Sequence, residues 1–170
     1  MAAPKGRGST RIYKDASTMQ NDPPPGCAAR IEGEDMHQWV GHIDGPDDSV
    51  YAGGNFPFTL TLPPNYPYEP PHIRFQTKIY HPNIKSTGEH KHGFGVCIDI
   101  LQKNKGWSPM FTVDRILLCV RSLFTDPNPD HPLEQEIARE YKTNRAKFDR
   151  KAKEYTQKYA IGKIANGKSS

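Results

Sequence analysis

The sequence predicts an α+β domain: a small antiparallel β-meander flanked by one N-terminal helix and about three C-terminal helices. Three observations predict it. Phe56, Phe58, Leu60 and Leu62 alternate with Asn55, Pro57, Thr59 and Thr61, the period of two expected of a strand with one face in a core. Val113, Ile116, Leu117, Val120, Leu123 and Phe124 recur with the 3.6-residue period of a core helix. Strand signals precede the C-terminal helical ones instead of alternating with them, which favours a meander over parallel βαβ units.

Taken in chain order, residues 1–9 are rich in Gly, Pro and basic side chains and read as a flexible basic tail. A helix follows over Ser9–Met19, capped by Ser9 or Thr10. Its thin apolar stripe (Ile12, Ala16, Met19) places it on the surface of the sheet, and Pro23, Pro24 and Pro25 end it. His37–Ile43 around Trp39 is a strand, and Gly53-Gly54 makes the turn into the alternating strand already described. Pro57 lacks an amide donor, so that strand is expected at a sheet edge or a bulge. Ile73 and Phe75 mark a third strand. Between these two strands, residues 63–71 hold five prolines in nine positions, which stiffen the segment into a rigid connector or a fixed surface knob carrying Tyr68.

Residues Ile79–Met110 have almost no periodicity, long for a loop inside a compact domain and therefore a place to look for function. Thr112 is positioned to cap the Val113–Phe124 helix, and Asp126–Pro132 is a proline-studded loop. Leu133–Tyr141 and Asn144–Tyr159 are two further amphipathic helices, with Thr143-Asn144 as break and cap. One domain spans residues 10–162, and residues 163–170 are a second flexible tail.

Composition narrows the function classes. A formal charge of +4 over 170 residues, with basic side chains gathered at Lys142–Lys158, is too weak for a nucleic-acid interface. No apolar run approaches a membrane span, and the N-terminus lacks the apolar segment of a secretory signal. The expected compartment is the cytoplasm, the nucleus or both. Three cysteines, Cys27, Cys97 and Cys119, are an odd number in a reducing context, so structural disulfides are not expected.

The informative thiol is Cys97. It sits on a loop, where a sulfur can be reached, whereas Cys119 is embedded in a helix. His81-Pro82-Asn83 ends 14 residues before Cys97. A free thiol is only about 3% thiolate at neutral pH, so cysteine proteases pair it with a histidine. His81, His90 and His92 are candidates, yet none of the protease signatures surrounds Cys97. His90-Lys91-His92 with His81 and Cys97 lacks the spacing of a zinc site, so no metal is expected.

Six segments, in order, resemble the ubiquitin-conjugating enzymes: Tyr51-Ala-Gly-Gly-Asn-Phe, Leu62-Pro-Pro-Asn-Tyr-Pro-Tyr-Glu-Pro-Pro, Lys78-Ile-Tyr-His-Pro-Asn-Ile, Gly95-Val-Cys-Ile-Asp-Ile-Leu, Trp107-Ser-Pro and Asp126-Pro-Asn-Pro. The likeness runs from about Arg11 to Ile161 and is closest to the broadly acting subgroup that partners RING-type ligases. It implies that Cys97 accepts ubiquitin as a thioester from the activating enzyme and passes it to a lysine of a protein substrate. ATP is consumed upstream, so no cofactor is implied. The implied state is a monomer that meets ubiquitin, the activating enzyme, ligases and protein substrates, but no nucleic acid or membrane.

Residue roles follow from the same resemblance. Asn83 stands where the family's His-Pro-Asn asparagine supports the oxyanion, or alternatively its own loop. His81 is a structural loop residue rather than a base. Asp130 and His131 form the environment of the acceptor lysine, and His131 replaces the subgroup's acidic residue. Tyr68, Ser108, Pro109 and Met110 match the ligase-binding loops, while Arg11 and Lys14 match basic contacts to ligases and the activating enzyme. Leu118 and Ser122 match positions that pack on the donor ubiquitin, and Ala28 replaces the Ser of a weak back-side ubiquitin contact. The stretches Glu89–Gly95 and Gln102–Gly106 are longer than in the subgroup; the first reads as a tolerated surface insertion, or as His90, Lys91 and His92 tuning access. The rival readings are a conjugating enzyme for another ubiquitin-like modifier, a non-catalytic ubiquitin-binding variant of the fold, and more remotely a cysteine protease.

Overall fold

The computed structural model of the chain describes residues 7–85 and 93–161. Five strands form one antiparallel sheet in sequential order: β1 (Cys27–Ile31), β2 (Gln38–Asp44), β3 (Asn55–Thr61), β4 (His72–Phe75) and β5 (Phe94–Gly95). The helices are α1 (Arg7–Asn21), α2 (Val113–Thr125), α3 (Gln135–Thr143) and α4 (Arg145–Tyr155), the last continued by a wider π turn, Thr156–Ile161. This is the expected α+β meander flanked by one N-terminal and three C-terminal helices.

Alternation decides the middle of the sheet. Phe56, Phe58 and Leu60 of β3 are fully buried while their neighbours are half-exposed. Opposite them, α2 presents its predicted stripe, Val113, Ile116, Leu117, Val120, Leu123 and Phe124, all buried. Phe124 stacks on Phe56 with ring centroids 5.1 Å apart and meets Phe75 edge-on at 6.0 Å. Each such side chain contributes about 1.5–3 kcal/mol on leaving water, so the sheet–α2 contact is a substantial part of the apolar core. Trp39 on β2 is buried in the same core and its indole N–H donates to the Met36 carbonyl at 2.9 Å.

The structure corrects four expectations. β3 is an interior strand, not an edge. Pro57 pairs with His42 of β2 but lies one residue beyond the last β3–β4 pair, Phe58↔Phe75, so its missing amide leaves no gap in the ladder. Strand β1, from Cys27↔Ile43 to Ile31↔Trp39, had no signal, because Ala28 and Ala29 have little strand preference and the segment does not alternate. The opening helix starts at Arg7, inside the expected tail, so Ser9 and Thr10 are helical residues rather than caps; it lies across both β1 and α2. Thr112 occupies the cap position of α2, yet its side chain makes no capping bond. The Val113 amide instead donates to Asp15 Oδ2 of α1 at 3.3 Å, a cap supplied from 98 residues away. The expected Asn144 cap of α4 is present: its side-chain oxygen accepts from the Lys147 amide at 3.3 Å.

Candidate active site

Downstream of β4 the chain makes a turn and a short ladder that lodge Cys97. Ile84 bridges Val96 in antiparallel fashion, the Lys85 amide donates to the Gly95 carbonyl at 2.8 Å, and the Cys97 amide donates to the Asn83 carbonyl at 2.8 Å. The backbone of Cys97 therefore hangs on the His81-Pro82-Asn83 turn. The thiol is half-exposed, whereas Cys27 is buried and burial pushes its thiol up to about 11. Cys119 is half-buried on α2. Only Cys97 combines access with a non-helical, non-strand backbone.

His81 is fully enclosed, with its ring 5.7 Å from Tyr51 and 6.0 Å from Phe124. The Asn83 amide donates to Nδ1 at 2.9 Å, so Nδ1 is the acceptor and Nε2 carries the proton that goes to the Leu123 carbonyl at 2.7 Å. Both ring nitrogens are used inside the fold, which removes His81 as a base for Cys97. Burial lowers its pKa to about 4, against an ordinary 6.5. Unfolding restores the ordinary value, so the contribution of neutral His81 is complete above pH 6.5 and falls away as the pH drops towards 4. The expected loss across that window is about 3 kcal/mol. Urea unfolding at neutral and mildly acid pH checks it: His81→Gln, which cannot titrate, should flatten the slope.

Asn83 is 1% exposed, and its carboxamide is occupied on every side. Nδ2 donates to the Asn128 carbonyl at 2.8 Å and to the His131 carbonyl at 3.2 Å, and Oδ1 accepts from the Asn128 amide at 2.9 Å. The Leu133 and Glu134 amides both donate to the Pro82 carbonyl, at 2.8 and 3.1 Å. The proline-rich loop between α2 and α3 is thus stitched to the turn that holds Cys97, and one residue, Asn83, joins the cysteine backbone through its carbonyl and His131 through its side chain. The His131 side chain is exposed. Asp130 is exposed as well, pairs with Lys142 at 2.7 Å, and its carboxyl is held below the usual range by that ammonium.

Gln102 is a contact the sequence did not point to. It follows the 3₁₀ turn Asp99–Leu101, and its Nε2 lies 3.4 Å from Cys97 Sγ. Its spacing of five residues carried no signal, because only the turn folds it back onto the sulfur. Gly106 closes this loop, donating its amide to the Asp99 carbonyl at 3.0 Å; a Cβ there would come within 2.9 Å of the same carbonyl.

The residues expected to meet a ligase, Tyr68 and Ser108–Met110, lie on two loops joined by Trp107. Tyr68 is 59% exposed and Met110 79%, while Pro109 is exposed and Ser108 half-buried. Trp107 ties the two loops together, its indole N–H donating to the Pro67 carbonyl at 3.0 Å. Lys14 is exposed on α1, but Arg11 is turned inwards: it pairs with Asp15 and donates to the carbonyls of Pro109 and Phe111. Arg11 therefore braces the loop that carries Met110. Leu118 and Ser122 lie one turn apart on the outer face of α2 and are both exposed. Ala28 is half-buried on β1. Among the described residues no group of three or more His, Cys, Asp or Glu is placed to hold a metal ion. Glu89, His90, Lys91 and His92 lie outside the described residues.

Comparison with known proteins agrees with the fold. The family model described as ubiquitin-conjugating enzyme matches residues 11–156. The E2 domain of a Toxoplasma gondii ubiquitin conjugating enzyme is 37% identical and superposes with a TM-score of 0.78, covering 91% of this chain and 99% of its own. A Plasmodium yoelii protein assigned to the ubiquitin conjugating enzymes is also 37% identical, with a TM-score of 0.81, covering 92% of this chain and 97% of its own. A five-stranded meander with these four helices, matched by the family model over most of its length, makes this chain a member of the ubiquitin-conjugating enzyme family.

Proposed function

We propose that the chain accepts ubiquitin from the activating enzyme as a thioester on Cys97 and, with a RING-type ligase, transfers it to a substrate lysine in the cytoplasm or nucleus. The observation that carries this reading is the half-exposed Cys97, whose backbone amide donates to the Asn83 carbonyl on a turn that also anchors the Asn128–Leu133 loop. Thioester exchange moves an activated acyl group between sulfurs at little net free-energy cost, and thiolate is a good nucleophile without a paired base. No metal or cofactor takes part, and ATP acts one step earlier. Tyr68, Ser108, Pro109 and Met110 form the ligase-facing rim, with Arg11 bracing it and Lys14 beside it. Leu118 and Ser122 form the patch for the carried ubiquitin.

The test is a non-reducing gel after mixing the protein with activating enzyme, ATP and ubiquitin. A thiol-sensitive adduct, absent in Cys97→Ala and replaced by a reductant-resistant ester in Cys97→Ser, supports the proposal. Loading by another ubiquitin-like modifier alone moves the chain to that modifier's pathway. No loading by any modifier, or loading that survives Cys97→Ala, overturns it.

The acceptor side gives a sharper expectation. As the amine attacks, positive charge grows on its nitrogen, and a carboxylate nearby stabilises that charge. Asp130 is already paired with Lys142, so position 131 is the place to add an unpaired carboxylate. His131→Asp is expected to speed discharge to free lysine about fivefold, the worth of about 1 kcal/mol of added attraction. An unchanged rate in single-turnover discharge removes His131 from the acceptor site.

A further inference from the structure

We infer that Gln102 is a further catalytic residue, a side-chain donor to the Cys97 sulfur whenever that sulfur carries negative charge. The inference rests on Cys97 being the thioester site. Three features support it. Gln102 Nε2 is 3.4 Å from Sγ, a normal donor distance to sulfur. Asn83, whose backbone carbonyl holds the Cys97 amide, has both hydrogens of its carboxamide engaged by the Asn128 and His131 carbonyls. The backbone of Gln102 is fixed at both ends: its amide donates to the Asp99 carbonyl at 3.0 Å, and its carbonyl accepts from Lys105 at 3.1 Å and Trp107 at 3.2 Å. A half-buried side chain on so constrained a backbone presents its N–H with little conformational freedom to lose.

A donor at this place acts twice. In loading, the Cys97 thiolate attacks the carbonyl carbon of the incoming thioester; a new S–C bond forms, the old one breaks, and the electron pair leaves on the activating enzyme's sulfur. In discharge, a neutral amine attacks the same carbon, the N–C bond forms, the C–S bond breaks with its pair returning to Cys97 Sγ, and the ammonium proton passes to water. Gln102 exchanges no proton in either step. Its N–H stabilises the anionic sulfur before loading and as leaving group during discharge, and a hydrogen bond to a charged group outweighs one to the neutral thiol.

The experiment compares Gln102→Met, which keeps length but has no donor, Gln102→Glu, which replaces the donor with a carboxylate, and Gln102→Lys, which restores a donor. Two readouts are taken on each full-length protein. One is single-turnover discharge of the ubiquitin thioester to free lysine. The other is the rate at which iodoacetamide alkylates Cys97 at neutral pH without ubiquitin, followed on the Cys97 peptide. Gln102→Met is expected to slow both about tenfold, Gln102→Glu more, and Gln102→Lys to recover most of the loss. Equal rates in wild type, Met and Glu variants overturn the inference while leaving thioester formation on Cys97 intact, as does a loss that tracks melting temperature rather than donor number. If the wild type does not load, the underlying reading fails first, and the alkylation series still reports whether Gln102 reaches the sulfur.

Discussion

Asn83→Ala is expected to leave thioester loading largely intact and to slow discharge to lysine by about a hundredfold. The asymmetry follows from which atoms are lost. The bond that holds Cys97 runs from its amide to the Asn83 backbone carbonyl, and a side-chain truncation does not touch it, so the nucleophile stays in place. What disappears is the carboxamide and its bonds to the Asn128 carbonyl, the Asn128 amide and the His131 carbonyl. At about 1 kcal/mol each these amount to roughly 3 kcal/mol of anchoring for the Asn128–His131 stretch of the loop. Loss of one oxyanion donor elsewhere costs a similar 2.7–4 kcal/mol, or about 10² to 10³ in rate, so the rate alone does not separate loop support from charge stabilisation. Amide exchange over residues 126–133 does. Loop support requires these amides to lose protection in Asn83→Ala; a pure oxyanion role leaves their exchange unchanged. In the present geometry both Nδ2 hydrogens face loop carbonyls, and faster exchange is the expected result.

How much of this was legible beforehand depends on whether the cause is local. The β3 alternation and the α2 stripe were readable because one face of each is wholly buried, which imposes a period on neighbouring residues. β1 and β5 were not: Cys27–Ile31 does not alternate, and Phe94–Gly95 is two residues long. They are strands because β2 and β4 offer open edges. Cys97 stood out by residue type and loop context, but its surroundings did not. The Asn83 bridge to residues 128 and 131 spans more than 40 positions, and no window of sequence shows that both amide hydrogens go to that loop. The same limit hid Gln102, and it made Arg11 look like a free surface cation when its guanidinium is engaged by Asp15 and two carbonyls.

Asp15 is a further instance: it is charged yet 1% exposed, and its partners Tyr66 and Val113 lie 51 and 98 residues away. Asp15→Ala is expected to destabilise the protein by about 3–5 kcal/mol, the usual result of removing one partner from a buried charged pair. Three donors converge on its carboxylate: Arg11 Nε at 3.1 Å on Oδ1, and the Tyr66 hydroxyl at 2.8 Å and the Val113 amide at 3.3 Å on Oδ2. Burial and then the Asp15 charge push the Tyr66 hydroxyl well above its ordinary pKa, so it remains a donor and cannot follow the loss by ionising. Removing the carboxylate therefore strands a buried hydroxyl, an uncapped first turn of α2 and a guanidinium, and each unmet donor adds its own desolvation cost. Asp15→Asn keeps one acceptor oxygen and should lose distinctly less. Urea unfolding reads the effect as a lower midpoint at unchanged slope, and thermal unfolding as a drop of roughly 10 °C. The damage should also travel, since Arg11 is oriented by Asp15 while it grips the carbonyls on either side of Met110. Asp15→Asn, still folded, should therefore bind a RING-type ligase more weakly although Asp15 itself is buried away from any partner. Unchanged ligase affinity in a folded Asp15→Asn protein separates Arg11 from the loop, and a stability loss below about 1 kcal/mol in Asp15→Ala removes Asp15 from the centre of the α1–α2 junction.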